Sequence, residues 1–384
     1  MDGPPPKSTE APRFLRRPVA LLLVAYCLLR LLNLLTFAGL AWGRGDRWST
    51  YILSWDSHWL IRAARDGWPI LDLAADTDAL PTSTWAWPPL APLVARWSAS
   101  VLGGGAIEPT LVAVNFVGGA IAAVVLFKLV TEFWGARAGF LAAVTWTAMP
   151  GSPVLVMGYA EGLFVAFAFS ALWVLQRQRY VLAAVLLIPA GLTKLQVVPF
   201  ALAIIGVVVY RWWRGGFTTP RLLVVVMSVL LASVSIFAWP IYVAVRLGSL
   251  DAYSQVRSTW NHETTPFLNT INWLEWLVSS PISPNVFAAL GLAVATVAAI
   301  WVVRASQVPL SLKWVGVSTP VFLAFAGAGV STIRYLFPDP VIALFLTKLV
   351  RRTWHSSVLG IALVLSQVAW IVMFVAADSG STPP

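Results

Sequence analysis

Long apolar runs follow one another almost from end to end of this chain, with the polar positions gathered between them. About 20 mostly apolar residues make one membrane-crossing helix. Runs at 18–42, 110–130, 138–157, 160–175, 221–245, 285–303, 314–330 and 356–377 meet that length or come close to it. Two further stretches are irregular. Residues 181–210 are longer but interrupted by Pro189, Gly191 and Lys194, and residues 338–350 are short and begin with Pro338-Asp339-Pro340. Both read as broken or shortened helices, because proline removes a backbone donor and clashes with the preceding turn.

Composition agrees with the pattern. Of 384 residues, 59% are hydrophobic and 11% charged, whereas about 25% charged residues is usual for a soluble domain. The expected fold is an all-α polytopic membrane protein of ten or eleven membrane segments, residues 1–384 forming one unit. A net charge of +10 would ordinarily raise nucleic acid as a partner. Here the basic residues are scattered between apolar runs rather than gathered in a patch, so none is expected. Cys27 is the single cysteine and has no disulfide partner. The run after Arg13, Arg16 and Arg17 is far longer than the roughly 7–15 apolar residues of a signal peptide, so a retained first span is expected.

The charges also orient the chain, since Lys and Arg collect on the cytoplasmic side of short loops. With the N-terminus inside, 16 of the 26 basic residues and three of the 16 acidic ones fall on that side. Two sizeable loops, 43–109 and 246–284, then lie outside. Arg177 and Arg179 precede the broken 181–210 stretch and Arg211 and Arg214 follow it, so it enters and leaves on the cytoplasmic side. High Ala, Val and Leu with Arg over Lys fits a GC-rich bacterial genome and hence a multi-pass plasma-membrane protein. No span repeats Arg at every third position and no filter-like loop occurs, which disfavours a voltage sensor or pore.

Candidate chemistry centres on loop 43–109. Residues Trp55-Asp56-Ser57-His58-Trp59-Leu60 through Arg62 and Arg65 to Gly67 predict an amphipathic interfacial helix, with Trp55, Trp59 and Leu60 near one face and Gly67 as its stop. Asp56 in the first turn is either a partner for the helix dipole or a base beside the membrane. His58 is a substrate contact or a solvated residue. Downstream, Trp85 to Pro92 holds three prolines and two tryptophans and predicts a rigid interfacial turn or a segment of an aromatic belt. Ionisable residues inside spans cost about 2.5–3.5 kcal/mol each at the centre, so Arg30, Glu161 and Lys194 need a reason. Glu161 is expected near an outer end, able to reach the interface. Lys194 falls at the break in 181–210, where a cation can meet freed carbonyls or a buried anion. Arg334-Tyr335 lies just outside and reads alone as an interfacial anchor.

Taken in order, Trp55-Asp56, the Pro-rich aromatic segment, Tyr159-Ala160-Glu161-Gly162-Leu163-Phe164, Leu192-Thr193-Lys194 and Arg334-Tyr335-Leu336 resemble the PIG-V-type mannosyltransferases. That family comprises glycosylphosphatidylinositol mannosyltransferase II and bacterial relatives, of the GT-C class of integral membrane glycosyltransferases. The similarity runs from about Leu21 to Val350. Two departures are Lys194, where the family more often has Arg, and Ala91, where an aromatic is usual. The resemblance implies a GT-C-like bundle and transfer of a sugar, mannose foremost, from a polyprenyl-phosphate donor to a lipid or glycan acceptor, with inversion. It implies Asp56 as the general base and Arg334 and Lys194 as donor-phosphate contacts, with Trp55, His58, Glu161 and Tyr335 shaping the substrate site. No His, Asp and Glu cluster has metal-ligand spacing, and dependence on a divalent metal stays open. Two alternatives remain: a non-enzymatic lipid or polyisoprenoid flippase with a polar path through Glu161 and Lys194, and a GT-C enzyme for another sugar such as arabinose.

Overall fold

The structure, a computed structural model, describes residues 16–71, 83–101, 106–215, 222–258, 284–326, 331–350 and 352–377. Among these every regular element is helical. In chain order they are α1 (Arg16–Arg44), α2 (Trp48–Ile52), α3 (Asp56–Asp66), α4 (Leu90–Val101), α5 (Ile107–Thr147), α6 (Glu161–Gln176), α7 (Tyr180–Gly191) and α8 (Val198–Trp213). There follow α9 (Leu222–Leu247), α10 (Ala252–Ser258), α11 (Pro284–Arg304), α12 (Leu310–Ala326), α13 (Thr332–Leu336), α14 (Pro340–Leu349) and α15 (Thr353–Ala377). Most of the expected outer loop 246–284 lies outside the described residues.

Among the described residues five helices are long and apolar enough to cross a membrane: α1, α5, α8 with its preceding turn, α9 and α15. Five shorter apolar helices, in α6, α7, α11, α12 and α14, pack among them. Large apolar side chains point outward on the long helices, Leu21, Leu28, Leu31 and Leu35 on α1 and Val358, Ile361 and Leu365 on α15. In water such a surface would aggregate; in a bilayer it is the solvated surface. The chain is an all-helical membrane protein.

Helix α5 is two limbs. Gly135 has φ 82° and ψ 167°, and a side chain at Gly139 would run into Phe127 and Thr131. In a straight helix positions 127 and 139 would be about 18 Å apart, so α5 doubles back at Gly135. The second limb does not run on to 157 as its apolar pattern predicts. It stops at Thr147, before Met149-Pro150-Gly151, and a 3₁₀ turn, Ser152–Val156, follows. The carbonyls left free there are met by Arg30, which is buried within α1. Its guanidinium donates to Thr147 O at 2.5 Å, to Ser152 Oγ at 2.9 Å and to Ser152 O. Gln367 of α15 adds a bond to Ser152 Oγ at 3.0 Å. A cation placed on a helix C-terminus is favourable electrostatically, which is the reason this intramembrane arginine needs.

The helix ends therefore sort onto two sides. The starts of α1, α7, α12 and α15, the bend of α5, and the ends of α6, α8, α11 and α14 lie on the Arg17 side. The starts of α3, α6 and α8, the end of α7, α10 and α13 lie on the other, called here the Asp56 side.

Candidate functional site

Three breaks in helical structure meet on the Asp56 side. The first is the turn between α2 and α3. Asp56 opens α3 as its first residue, and Gly67 at φ 77° closes it, as the sequence pattern predicts. Trp55 does not share the buried face. It precedes the helix at φ 53°, ψ −121° and is 40% exposed, its ring 6.4 Å from that of Phe374. A tryptophan there is strained by about 1–3 kcal/mol, a cost carried next to Asp56. The buried residues are Ser57, Trp59, Leu60, Ile61, Ala63 and Ala64, with Trp59 stacked on Trp87 at 5.0 Å. The turn is fixed to the second break by a backbone bond from Gly158 N to Ile52 O, 2.8 Å.

That second break, residues 148–160, ends the second limb of α5 and starts α6 at Glu161. Asn115 of α5 holds it. Its Nδ2 donates to Val154 O (2.6 Å) and Met157 O (3.0 Å), while its Oδ1 accepts from Gly162 N at 2.5 Å. Gly162 is required by this approach, since any side chain there would meet the Asn115 backbone. Glu161 thus enters the bundle fully buried rather than reaching out to the interface.

The third break separates α7 from α8. Proline at 189 and the glycine at 191, where a side chain would strike Ser235 of α9, end α7, and Lys194 stands extended before a 3₁₀ turn. The Pro-rich segment reaches over to it: Leu90 N donates to Leu192 O at 2.8 Å. Trp85 in that segment is 1% exposed and stacks on Trp239 at 5.7 Å. Its aromatic residues pack inside the protein instead of forming a belt, and α4 begins within it, at Leu90.

These breaks present ionic groups to one another. Lys194 Nζ lies 2.5 Å from Glu161 Oε1. The short, non-spanning helix α13 supplies Arg334, whose Nη1 donates to Asp56 Oδ2 at 2.8 Å and whose Nε is 3.5 Å from Glu161 Oε1. Its guanidinium lies over the rings of Tyr159 and Tyr335, both at 5.1 Å, and Lys194 lies 5.4 Å from the Tyr335 centroid. Burial opposes the Arg334 charge, but Asp56 and, more weakly, Tyr335 and Glu161 outweigh it and hold its pKa above the ordinary arginine value. Arg334 is therefore a buried member of the cluster, not an interfacial anchor. One further cation comes from α10: Arg257, half-buried, hydrogen-bonds Tyr335 and lies within the field of Asp56. Among the described residues three cations thus stand against two carboxylates, and Glu161 Oε2 is buried there with no hydrogen-bond partner.

Asp56, Glu161, Lys194, Arg334 and Tyr335, predicted from scattered motifs, are brought together. Trp55 and His58 are not. His58 is exposed on α3, and no described contact ties it to the cluster. Asn115 and Arg257 were not singled out by their sequence surroundings. An asparagine in the middle of a long span was the available signal for the first. For Arg257 only its position in an outer loop was. Among the described residues no three His, Cys, Asp or Glu side chains converge as metal ligands. No protein-family model and no curated protein sequence matches the chain.

Proposed function

We propose that the protein is a membrane glycosyltransferase of the GT-C class that transfers a sugar, mannose foremost, from a polyprenyl-phosphate donor to a lipid or glycan acceptor. The observation carrying this reading is the partly exposed carboxylate of Asp56 in a cluster that, among the described residues, has one positive charge in excess. A polyprenyl-phosphate sugar is a phosphodiester with one negative charge, which such a cluster complements. The acceptor oxygen attacks the anomeric carbon while the bond from that carbon to the phosphate oxygen breaks. Asp56 takes the acceptor proton, and polyprenyl phosphate leaves. In an inverting displacement the base and the leaving oxygen stand on opposite sides of the reacting carbon. Arg334, 2.8 Å from Asp56, is then the group that orients the base, and Lys194 and Arg257 are the nearer partners for the departing phosphate. Glu161 holds Lys194 and Arg334 in place, and Tyr335 spaces the three cations.

The Asp56 side is assigned to the extracytoplasmic face and the Arg17 side to the cytoplasm, following the charge bias. Each of the ten apolar helices, with α5 as a hairpin, contributes to a GT-C-like bundle. The test is incubation of membranes with labelled polyprenyl-phosphate mannose and identification of the lipid product. Asp56→Asn is expected to insert normally and to lose about 10²–10⁴-fold in transfer rate, the usual contribution of a general base. Retained activity in that variant would sink Asp56 as the base. Movement of the donor lipid across proteoliposomes without a new glycosidic bond would replace the enzyme by a carrier, and product only from an arabinose donor would change the sugar.

A further inference from the structure

On the Arg17 side, remote from the Asp56 cluster, the start of α1, the bend of α5, the end of α14 and the start of α15 surround a cavity of about 1220 Å³. Arg17, Arg137, Lys348 and Arg352 line it, and among the described residues no carboxylate does. All four are exposed, and among the described residues none is in a salt bridge. Lys348 lies over the ring of Trp134 at 5.6 Å. An orientation signal requires basic residues only somewhere on this side. Here four cations from different elements converge on one space, where they repel one another until an anion enters.

The rest of the lining is apolar, including Leu21, Trp134 and Phe140. Leu21 is 61% exposed and begins the outward apolar stripe of α1, so the cavity borders the lipid-facing surface. A separate shallow depression of about 420 Å³ lies on another face of α15, lined by Ser357, Gly360, Ile361, Val364 and Leu365. Gly360 keeps it open, since nothing lies within 4 Å of where its side chain would start. A ligand that complements the larger cavity has an anionic head and an apolar tail.

We propose that this cavity is a binding site for an anionic phospholipid, its phosphate among the four cations and its acyl chains toward the outward stripe of α1 at Leu21. The site is independent of the Asp56 chemistry and lies at the opposite membrane face. Juxtamembrane cations each strengthen binding to anionic lipid about fivefold. The experiment is native mass spectrometry of the purified full-length protein with phosphatidylglycerol or phosphatidylcholine, and a separate thermal-shift arm compares phosphatidylglycerol with inorganic phosphate. Wild-type protein is expected to retain phosphatidylglycerol in preference to phosphatidylcholine. Arg137→Gln/Arg352→Gln is expected to weaken that retention about 25-fold. Arg179→Gln/Arg214→Gln, which removes two cations of the same side outside the cavity, should change it less than twofold. Equal loss in the two double variants, equal retention of phosphatidylcholine, or a thermal shift by inorganic phosphate as large as that by the lipid would each overturn the proposal. All the altered residues but Arg214, which follows α8, lie at helix starts or bends on the exposed surface, so the variants retain the fold.

Discussion

The ion pair between Glu161 and Lys194 gives the sharpest prediction, because both partners come from broken helices and lie inside the protein. Glu161→Gln keeps the shape and an acceptor oxygen for Lys194 but removes the charge. The Glu161 side chain is 1% exposed and that of Lys194 12%, at 2.5 Å. Removing one member of a buried pair costs about 3–5 kcal/mol, mostly because the other charge is left uncompensated. The small exposure of Lys194 lets water reach it, which places the expected loss at the lower end, about 3 kcal/mol. Arg334 loses its 3.5 Å contact with Glu161 but keeps Asp56 at 2.8 Å, so it adds little. In Glu161→Gln/Lys194→Met the stranded cation is gone and an apolar side chain of similar length fills its place. The double variant should therefore be destabilised by only about 1 kcal/mol, about 2 kcal/mol less than Glu161→Gln alone, the non-additivity expected of contacting residues. The assay is a double-mutant cycle of reversible unfolding in mixed micelles. A Glu161→Gln loss below about 0.5 kcal/mol, or a double variant no more stable than Glu161→Gln, would refute the claim that this pair is buried and mutually compensating.

Other consequences follow from single positions. Gly162→Ala should destabilise by about 1–3 kcal/mol or more, since the added carbon meets the Asn115 backbone; a thermal transition matching wild type would show that α5 and α6 are farther apart. Trp55→Gly relieves a backbone conformation that only glycine adopts freely, so stability should rise by about 1 kcal/mol in a melting experiment while transfer falls as the start of α3 loosens. Arg257→Gln should raise KM for the polyprenyl-phosphate donor about tenfold, the loss of one charge-assisted contact, with the acceptor KM unchanged; equal effects on both would remove Arg257 from the donor side. In a Cys27→Ser background, Arg47→Cys next to α2 should react with an impermeant thiol reagent from outside intact cells, and reaction from the cytoplasm alone would invert the proposed orientation.

The sequence pattern and the structure agree best where one span is one long apolar run, as in α1, α9 and α15. They also agree where a breaker has a local cause: Gly67 ends α3, and Pro189 with Gly191 ends α7. They part where a partner distant in the chain decides. Apolar residues through 157 predict a continued helix, but Pro150 and the Arg30 guanidinium favour a 3₁₀ turn capped from another helix. Glu161 looks free to reach the interface until Asn115 turns its backbone inward. Trp85 fits a belt as a single residue, yet Trp239, on α9, gives it an interior partner. The ionic cluster itself had legible members but not a legible pairing: that Arg334 would meet Asp56, or Lys194 meet Glu161, depends on how α13 packs against α3 and α6 against the break after α7.

The bond between Arg334 and Asp56 joins residues 278 positions apart in the chain. Chains are synthesised at about 5–20 residues per second, so the aspartate emerges roughly 15–55 s before its arginine exists. During that interval the apolar helices from α5 through α12 are synthesised with the carboxylate still waiting. A nascent chain cut before α13 would hold nearly all of its helices and yet lack the closing charge. Completion of the ionic cluster is thus a late event in biogenesis, and an unfinished chain would carry Asp56 without the residue that gives it direction.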